Sequence, residues 1–325
     1  MIHENTFTNE WIQKISEDYK LGKKRVDPAL IEKVTKALYL LECLAKTDLK
    51  FIFKGGTSLL LLLNEMHRFS IDIDIIIEEH KNKVDMDIIV SEIVERSFVF
   101  TRFEENVRKG NHRVPKAHCK FIKFKKPEVH VNMPSADCIL GDKLTAYAPN
   151  TTGIPYGKNK ELEIIKQLFD VGNLFDVMEN IDMVSKTFKL MAAQELVYRD
   201  EDKKYTYQDV LNDIFETSRI LSERGRIEKE IFNHLQTGVN RIKDYIFSEN
   251  YILESAVNSA AKAAYLSLLI KYNLTEVERF DKKIDLRTLV ITNPDFNKFK
   301  TIMKFDPEAY FYWYKSIEII SNNIS

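Results

Sequence analysis

Glycine and proline are scarce in this 325-residue chain, at ten and eight. That argues against an all-β fold with its many tight turns and leaves helix as the expected dominant element. Three cysteines, Cys43, Cys119 and Cys138, lie far apart without CxxC spacing, so neither a disulfide framework nor a zinc site is indicated. The seven histidines form no HExxH or HxxxH pair, which speaks against a histidine-bound metal. No apolar run approaches the length of a membrane span, and the opening MIHENTFTNEWIQKISEDYK has acids where a signal peptide needs a basic end and an apolar middle. A cytoplasmic protein without membrane contact is expected. Net charge is only −1, too small for wholesale coating of nucleic acid, although an average hides local patches.

What the chain does have is apolar residues, 44% of the total, enough for a proper core in one large or two ordinary domains. Asp27-Pro28 followed by ALIEKVTKALYLLECLA predicts an N-cap, a proline at the first helical position and an amphipathic helix to about Ala45. A strand near 50–53, a helix over 57–66, a strand over 70–78 and a helix over 85–96 should follow. The runs FVFTRF, CKFIKFK and EVHVN, between 98 and 132, read as short strands that extend the same sheet. Helices are expected over 137–148 and 160–178, separated by the loop PNTTGIPYGKN. Beyond about 180, YQDVLNDIFETSRILSE and SAVNSAAKAAYLSLLIKYN predict an all-helical second half. The fold class is α+β, with domains at 1–180 and 181–325 that are expected to pack together.

The stretch FKGGTSLLLLLNEMHRFSIDIDIII, 53–77, carries the chemistry. A Gly55-Gly56 turn before a helix lets a backbone approach a phosphate, with amides and the Thr57 and Ser58 hydroxyls as donors. Two residues apart on a strand, Asp72 and Asp74 should share one face, roughly 6.5–7 Å apart, while Ile71, Ile73, Ile75 and Ile77 point into a core. Adjacent carboxylates repel and resist desolvation, and a hard divalent ion, Mg²⁺, would satisfy both. Asp85 and Asp87 repeat the DxD spacing at a helix start, where acids simply favour the positive end of the macrodipole. Spacing alone therefore does not define the site; the adjoining turn does. Walker A and GxGxxG patterns are absent.

In order along the chain, KGGTSL, RFSIDIDI, GDKLTAYAPNTTGIP and KQLFDVGNLFD resemble the AbiEii/AbiGii toxin group of nucleotidyltransferases, within the DNA polymerase β-like superfamily. The resemblance spans roughly 54–176. It implies a polymerase β-like nucleotidyltransferase domain, a small mixed sheet flanked by helices, followed by an all-helical region. It implies that Gly55, Gly56, Thr57 and Ser58 hold a nucleoside triphosphate and that Asp72 and Asp74 bind the metal. Lys143 would contact the triphosphate, and Asp170 would supply the fourth motif, with Asp176 as second choice. Spacing alone offers Lys166 as an i,i+4 surface partner for Asp170. Lys54 and Arg68 are candidate nucleotide-binding cations, their ordinary alternative being solvation at the surface. Superfamily members often carry a third carboxylate on a neighbouring strand; here PEVHVNMP offers Glu128 and His130 in its place.

The reaction so implied is transfer of NMP from an NTP to a hydroxyl, with Mg²⁺ and release of pyrophosphate. Relatives in this group modify tRNA 3′ ends. A basic stretch, Arg108, Lys109, Arg113, Lys116, Lys120, Lys123, Lys125 and Lys126, contains no acid and would suit an RNA backbone. Ordinary strand alternation accounts for the same stretch equally well. A small-molecule or protein acceptor, and a non-enzymatic nucleotide-binding module, are the alternatives. Family context also implies a cognate antitoxin, a DNA-binding repressor that need not touch the toxin, with a role in growth arrest or phage defence.

Overall fold

Asp27 accepts a hydrogen bond from the Ala29 amide at 2.9 Å and Pro28 occupies the first turn, so the helix Pro28–Ala45 begins where capping chemistry places it. The computed structural model describes residues 2–18, 26–63, 67–77, 83–103, 131–199 and 204–323. The elements are α1 (Asn9–Asp18), α2 (Pro28–Ala45), β1 (Phe51–Lys54), α3 (Leu59–Leu62), β2 (Asp74–Ile77), α4 (Lys83–Arg96), α5 (Ala136–Ala146), α6 (Glu161–Val177), α7 (Ile181–Tyr198), α8 (Tyr207–Ser222), α9 (Lys229–Ile242), α10 (Leu253–Lys271) and α11 (Pro307–Asn323). The described residues are thus mostly helical with a small antiparallel sheet, a mixed α and β composition.

The chain divides into two compact units, Met1–Ser135 with Asp244–Asn250, and Ala136–Lys243 with Tyr251–Ser325. The sequence reading set its boundary at 180; by compactness the chain parts after Ser135, and a short segment between α9 and α10 returns to the first unit.

In the first unit α2 serves two cores. Its N-terminal half, through Leu30, Ile31 and Val34, packs with Ile12, Val26 and Phe69. Its C-terminal half, through Leu41 and Leu44, packs with Phe51, Phe53, Ile93 and Met133. Phe53 has no exposed surface, and its burial contributes about 2–3 kcal/mol. β1 pairs antiparallel with β2, from Phe51 opposite Ile77 to Lys54 opposite Asp74. On its other side Ile52 forms a parallel bridge to Asn132, and the Phe53 amide donates to the Asn132 carbonyl at 2.8 Å. β1 is therefore paired on both edges. Of the expected EVHVN strand, only residues 131 and 132 lie within the described residues, and CKFIKFK lies outside them.

Three expectations are corrected. The strand expected over 70–78 starts only at Asp74, because its partner β1 stops at Lys54 and Gly55 turns away at φ +82°. Ile73, Ile75 and Ile77 do pack against the core, but Ile71 is 38% exposed. The run 98–103 is not a strand: the Ser97 hydroxyl accepts from the Val99 and Phe100 amides, closing a turn. Its aromatics gather on α2 instead, with Phe98 and Phe100 ring centroids 4.5 and 5.8 Å from Tyr39.

The second unit is helical throughout its described residues, as expected of the C-terminal half. The Ala- and Ser-rich α10 lies at its centre, packed against α6, α8 and α11. Small side chains allow these close approaches. α5 packs on α6 and α7, which places the third and fourth sequence motifs side by side.

Candidate active site

At the end of β1 the chain enters Gly55 with a positive φ, a conformation that favours glycine. A side chain there is also blocked: a Cβ on Gly55 would lie 2.0 Å from Asp74 Oδ2. On Gly56 it would lie 2.8 Å from both Arg68 Nη2 and Ser70 Oγ. The missing side chains of the two glycines thus make a cradle occupied by a carboxylate, a guanidinium and a hydroxyl. Asp74 also faces Lys54 directly across the β1–β2 register, an opposite-charge pair of the kind that stabilises a sheet edge.

Thr57 and Ser58 are buried with no exposed surface. Thr57 Oγ1 donates to the Asp72 main-chain carbonyl at 2.5 Å, and Ser58 Oγ to the Gly55 carbonyl at 2.7 Å. Both hydroxyl protons are directed inward here, so these residues brace the turn and tie it to the backbone of the acidic pair. α3 is only four residues long, too short for an appreciable macrodipole. An anion at this turn would rely on Arg68, whose guanidinium covers Gly56.

Asp72 and Asp74 are both exposed. The pleat holds only Asp74; Asp72 precedes the strand and is fixed through its carbonyl by Thr57. Two exposed carboxylates beside a cradle that admits no Cβ are a hard oxygen donor set suited to Mg²⁺. Among the described residues no cluster of three or more His, Cys, Asp or Glu forms, so other coordination positions would fall to phosphate oxygens and water, as this ion prefers.

Arg68 is 7% exposed, and its Nη1 donates to the Phe69 carbonyl at 3.0 Å. It is a buried cation of the turn, whereas the sequence alone left solvation open. Ser70, absent from the sequence-derived site, reaches the same cradle. Its signal was available, since it lies two residues before Asp72 in RFSIDID.

In the second unit Lys143 and Asp170 meet. Lys143 Nζ lies 2.9 Å from Asp170 Oδ2 and donates to Gln167 Oε1 at 2.9 Å. Lys143 is 7% and Asp170 1% exposed. The surface placement offered for Asp170 is thereby corrected. Lys166 bonds to Glu163 at 3.1 Å, one turn earlier on α6, while Asp170 faces α5. Asp176 lies elsewhere, 2.8 Å from Lys262 Nζ of α10. Gln167 was missed, although its position three residues before Asp170 places it on the same helix face.

A further residue organises the loop after α5. Asp213 of α8 accepts from the Asn150 amide at 2.8 Å, Asn150 Nδ2 at 2.7 Å and Thr151 Oγ1 at 2.9 Å. Burial pushes its carboxyl above the ordinary Asp value, with the hydrogen bonds from Asn150 and Thr151 opposing that shift. Nothing local in the sequence connects Asp213 to a loop sixty residues earlier.

The candidate RNA contacts Arg108, Lys109, Arg113, Lys116, Lys120, Lys123, Lys125 and Lys126, and the polar candidates Glu128 and His130, lie outside the described residues. Among the described residues no helix is long and apolar enough to cross a membrane.

Residues 39–109 match the family described as nucleotidyl transferase AbiEii toxin, type IV toxin-antitoxin system. The match includes β1, the Gly-Gly turn, β2 and α4, and hence the whole Gly55/Asp74/Arg68 cluster. Lys143 and Asp170 lie beyond it. No curated protein and no solved structure matches the chain.

Proposed function

We propose, from the AbiEii nucleotidyltransferase match over 39–109, that this protein is a toxin-type nucleotidyltransferase on a polymerase β-like domain. It would transfer NMP from an NTP to the 3′-terminal hydroxyl of a tRNA. The observation that carries the reading is the placement of Asp74 on Gly55 and of Arg68 on Gly56: the acidic motif and the glycine turn, separate in sequence, form one cluster.

Asp72 and Asp74 would hold Mg²⁺, which when bound neutralises charge on the triphosphate and on the departing pyrophosphate. The triphosphate would lie against the side chains that fill the glycine turn, its oxygens bound by Arg68 over Gly56 with Lys54 nearby. The family resemblance also assigns Lys143 to the triphosphate, and its ammonium is held by Asp170 and Gln167. The acceptor oxygen bonds to the α-phosphorus, the bond from that phosphorus to the bridging oxygen breaks, and pyrophosphate leaves. Glu128 and His130 are the candidates for receiving the hydroxyl proton. The basic residues between 108 and 126 would follow the RNA backbone. In this reading the protein works in the cytoplasm beside a cognate antitoxin, a DNA-binding repressor, and arrests growth or limits phage.

Purified protein incubated with Mg²⁺, total tRNA and each of four labelled NTPs tests the proposal. Label should enter tRNA and be absent with Asp72→Ala/Asp74→Ala. Label entering protein or a small hydroxylated acceptor instead would retain the chemistry and replace the substrate. No transfer to any acceptor would leave a nucleotide-binding module.

A further inference from the structure

Arg68 reaches the glycine turn from a segment that is itself held by a distant part of the chain. Residues 244–250 follow α9, 176 positions or more beyond Arg68 in sequence, yet belong to the first unit. Ile246 forms an antiparallel bridge with Arg68. The flanking main-chain bonds close on either side of it: Phe69 N donates to Tyr245 O at 3.0 Å, and Phe247 N to His67 O at 3.4 Å. Ser248 Oγ adds a bond to the His67 carbonyl at 3.1 Å. Phe247 meets Phe69 ring to ring at 4.5 Å between centroids with a 42° tilt, and both pack with Leu30, Ile31 and Val34 of α2. Arg68 is thus pinned at the residue before it, at itself and at the residue after it.

We infer that Asp244–Asn250 is a positioning strap that fixes the Arg68 guanidinium over Gly56 for binding nucleotide phosphate. The physical reason is entropic. An arginine side chain carries considerable rotamer freedom, and a guanidinium already held at its phosphate-binding position loses less of it when the ligand arrives. No residue of the strap touches the nucleotide in this inference; all act through Arg68. The inference rests on the glycine turn being the triphosphate site, as proposed above.

The test is equilibrium binding of each of the four NTPs with Mg²⁺ to the full-length protein by calorimetry. Phe247→Ala should weaken binding about tenfold, the equivalent of one charge-assisted hydrogen bond. Phe247→Leu, which keeps the packing, should restore it to within about twofold of the unaltered protein. In an Arg68→Ala background, Phe247→Ala should have no further effect, because residues that act through one another are not additive. Ile12→Ala, in the same core cluster, should lower the melting temperature and leave affinity unchanged. If Phe247→Ala does not fold, Ser248→Ala, at an exposed position, removes only the bond to His67 and should weaken binding about threefold. Undiminished affinity in the strap variants, or a full additional loss in the Arg68→Ala background, overturns the strap. If the unaltered protein binds none of the four NTPs, the nucleotide reading itself fails and the strap with it.

Discussion

Removing Asp170 should cost more stability than removing both Asp170 and Lys143 together. The two charges are 2.9 Å apart and each is more than nine-tenths buried. Asp170→Ala leaves the Lys143 ammonium in the helical interior with Gln167 as its remaining named acceptor. An uncompensated buried charge of this kind costs about 3–5 kcal/mol. For a unit of this size that lowers the melting temperature by roughly 10 °C. Lys143→Met/Asp170→Leu removes both charges and keeps comparable volume, so stability should return to within about 1–2 kcal/mol of the unaltered protein. Activity should not return with it, because the cation assigned to the triphosphate is gone. Urea unfolding monitored by circular dichroism gives the stability, and NMP transfer to tRNA gives the activity. A double variant as unstable as Asp170→Ala would refute the isolated-charge argument. A stable double variant with undiminished transfer would make the pair structural and remove Lys143 from the chemistry.

Gly55→Ala meets both a left-handed backbone and the Asp74 carboxylate. It should cost about 1–2 kcal/mol from conformation alone, displace Asp74, and reduce transfer by far more than the stability loss explains; a parallel melting and activity measurement decides. The Asp213 carboxyl has a folded-state pKa above its unfolded value, so between those two values the native state binds more protons than the unfolded chain. Its contribution to stability is present below the unfolded pKa and is lost as pH rises through the folded one. Asp213→Asn should remove that slope from the pH dependence of the unfolding free energy, and an unchanged slope would exclude Asp213 as its source.

The sequence by itself determined the local features. Capping at Asp27-Pro28, the helical periodicity beyond 180 and the order of turn and acidic pair follow from side-chain chemistry within a few residues, and each is read without tertiary contacts. It also supplied Asp74, Arg68, Lys143 and Asp170 as candidates, and the AbiEii match over 39–109 agrees with the family it resembles. The extent of β2 could not be read that way, because a strand ends where its partner turns away, and that partner is twenty residues earlier. Nor could the inward direction of the Thr57 and Ser58 hydroxyls, which depends on the carbonyls of Asp72 and Gly55. Lys166 was the nearer partner for Asp170 by helix spacing, but α5 brings Lys143 to it across the helix interface. Asp213 on the loop after α5 and residues 244–250 on Arg68 are contacts between positions far apart in the chain. Local preference sets which residues can form such contacts, and only the packing of distant segments decides which of them do.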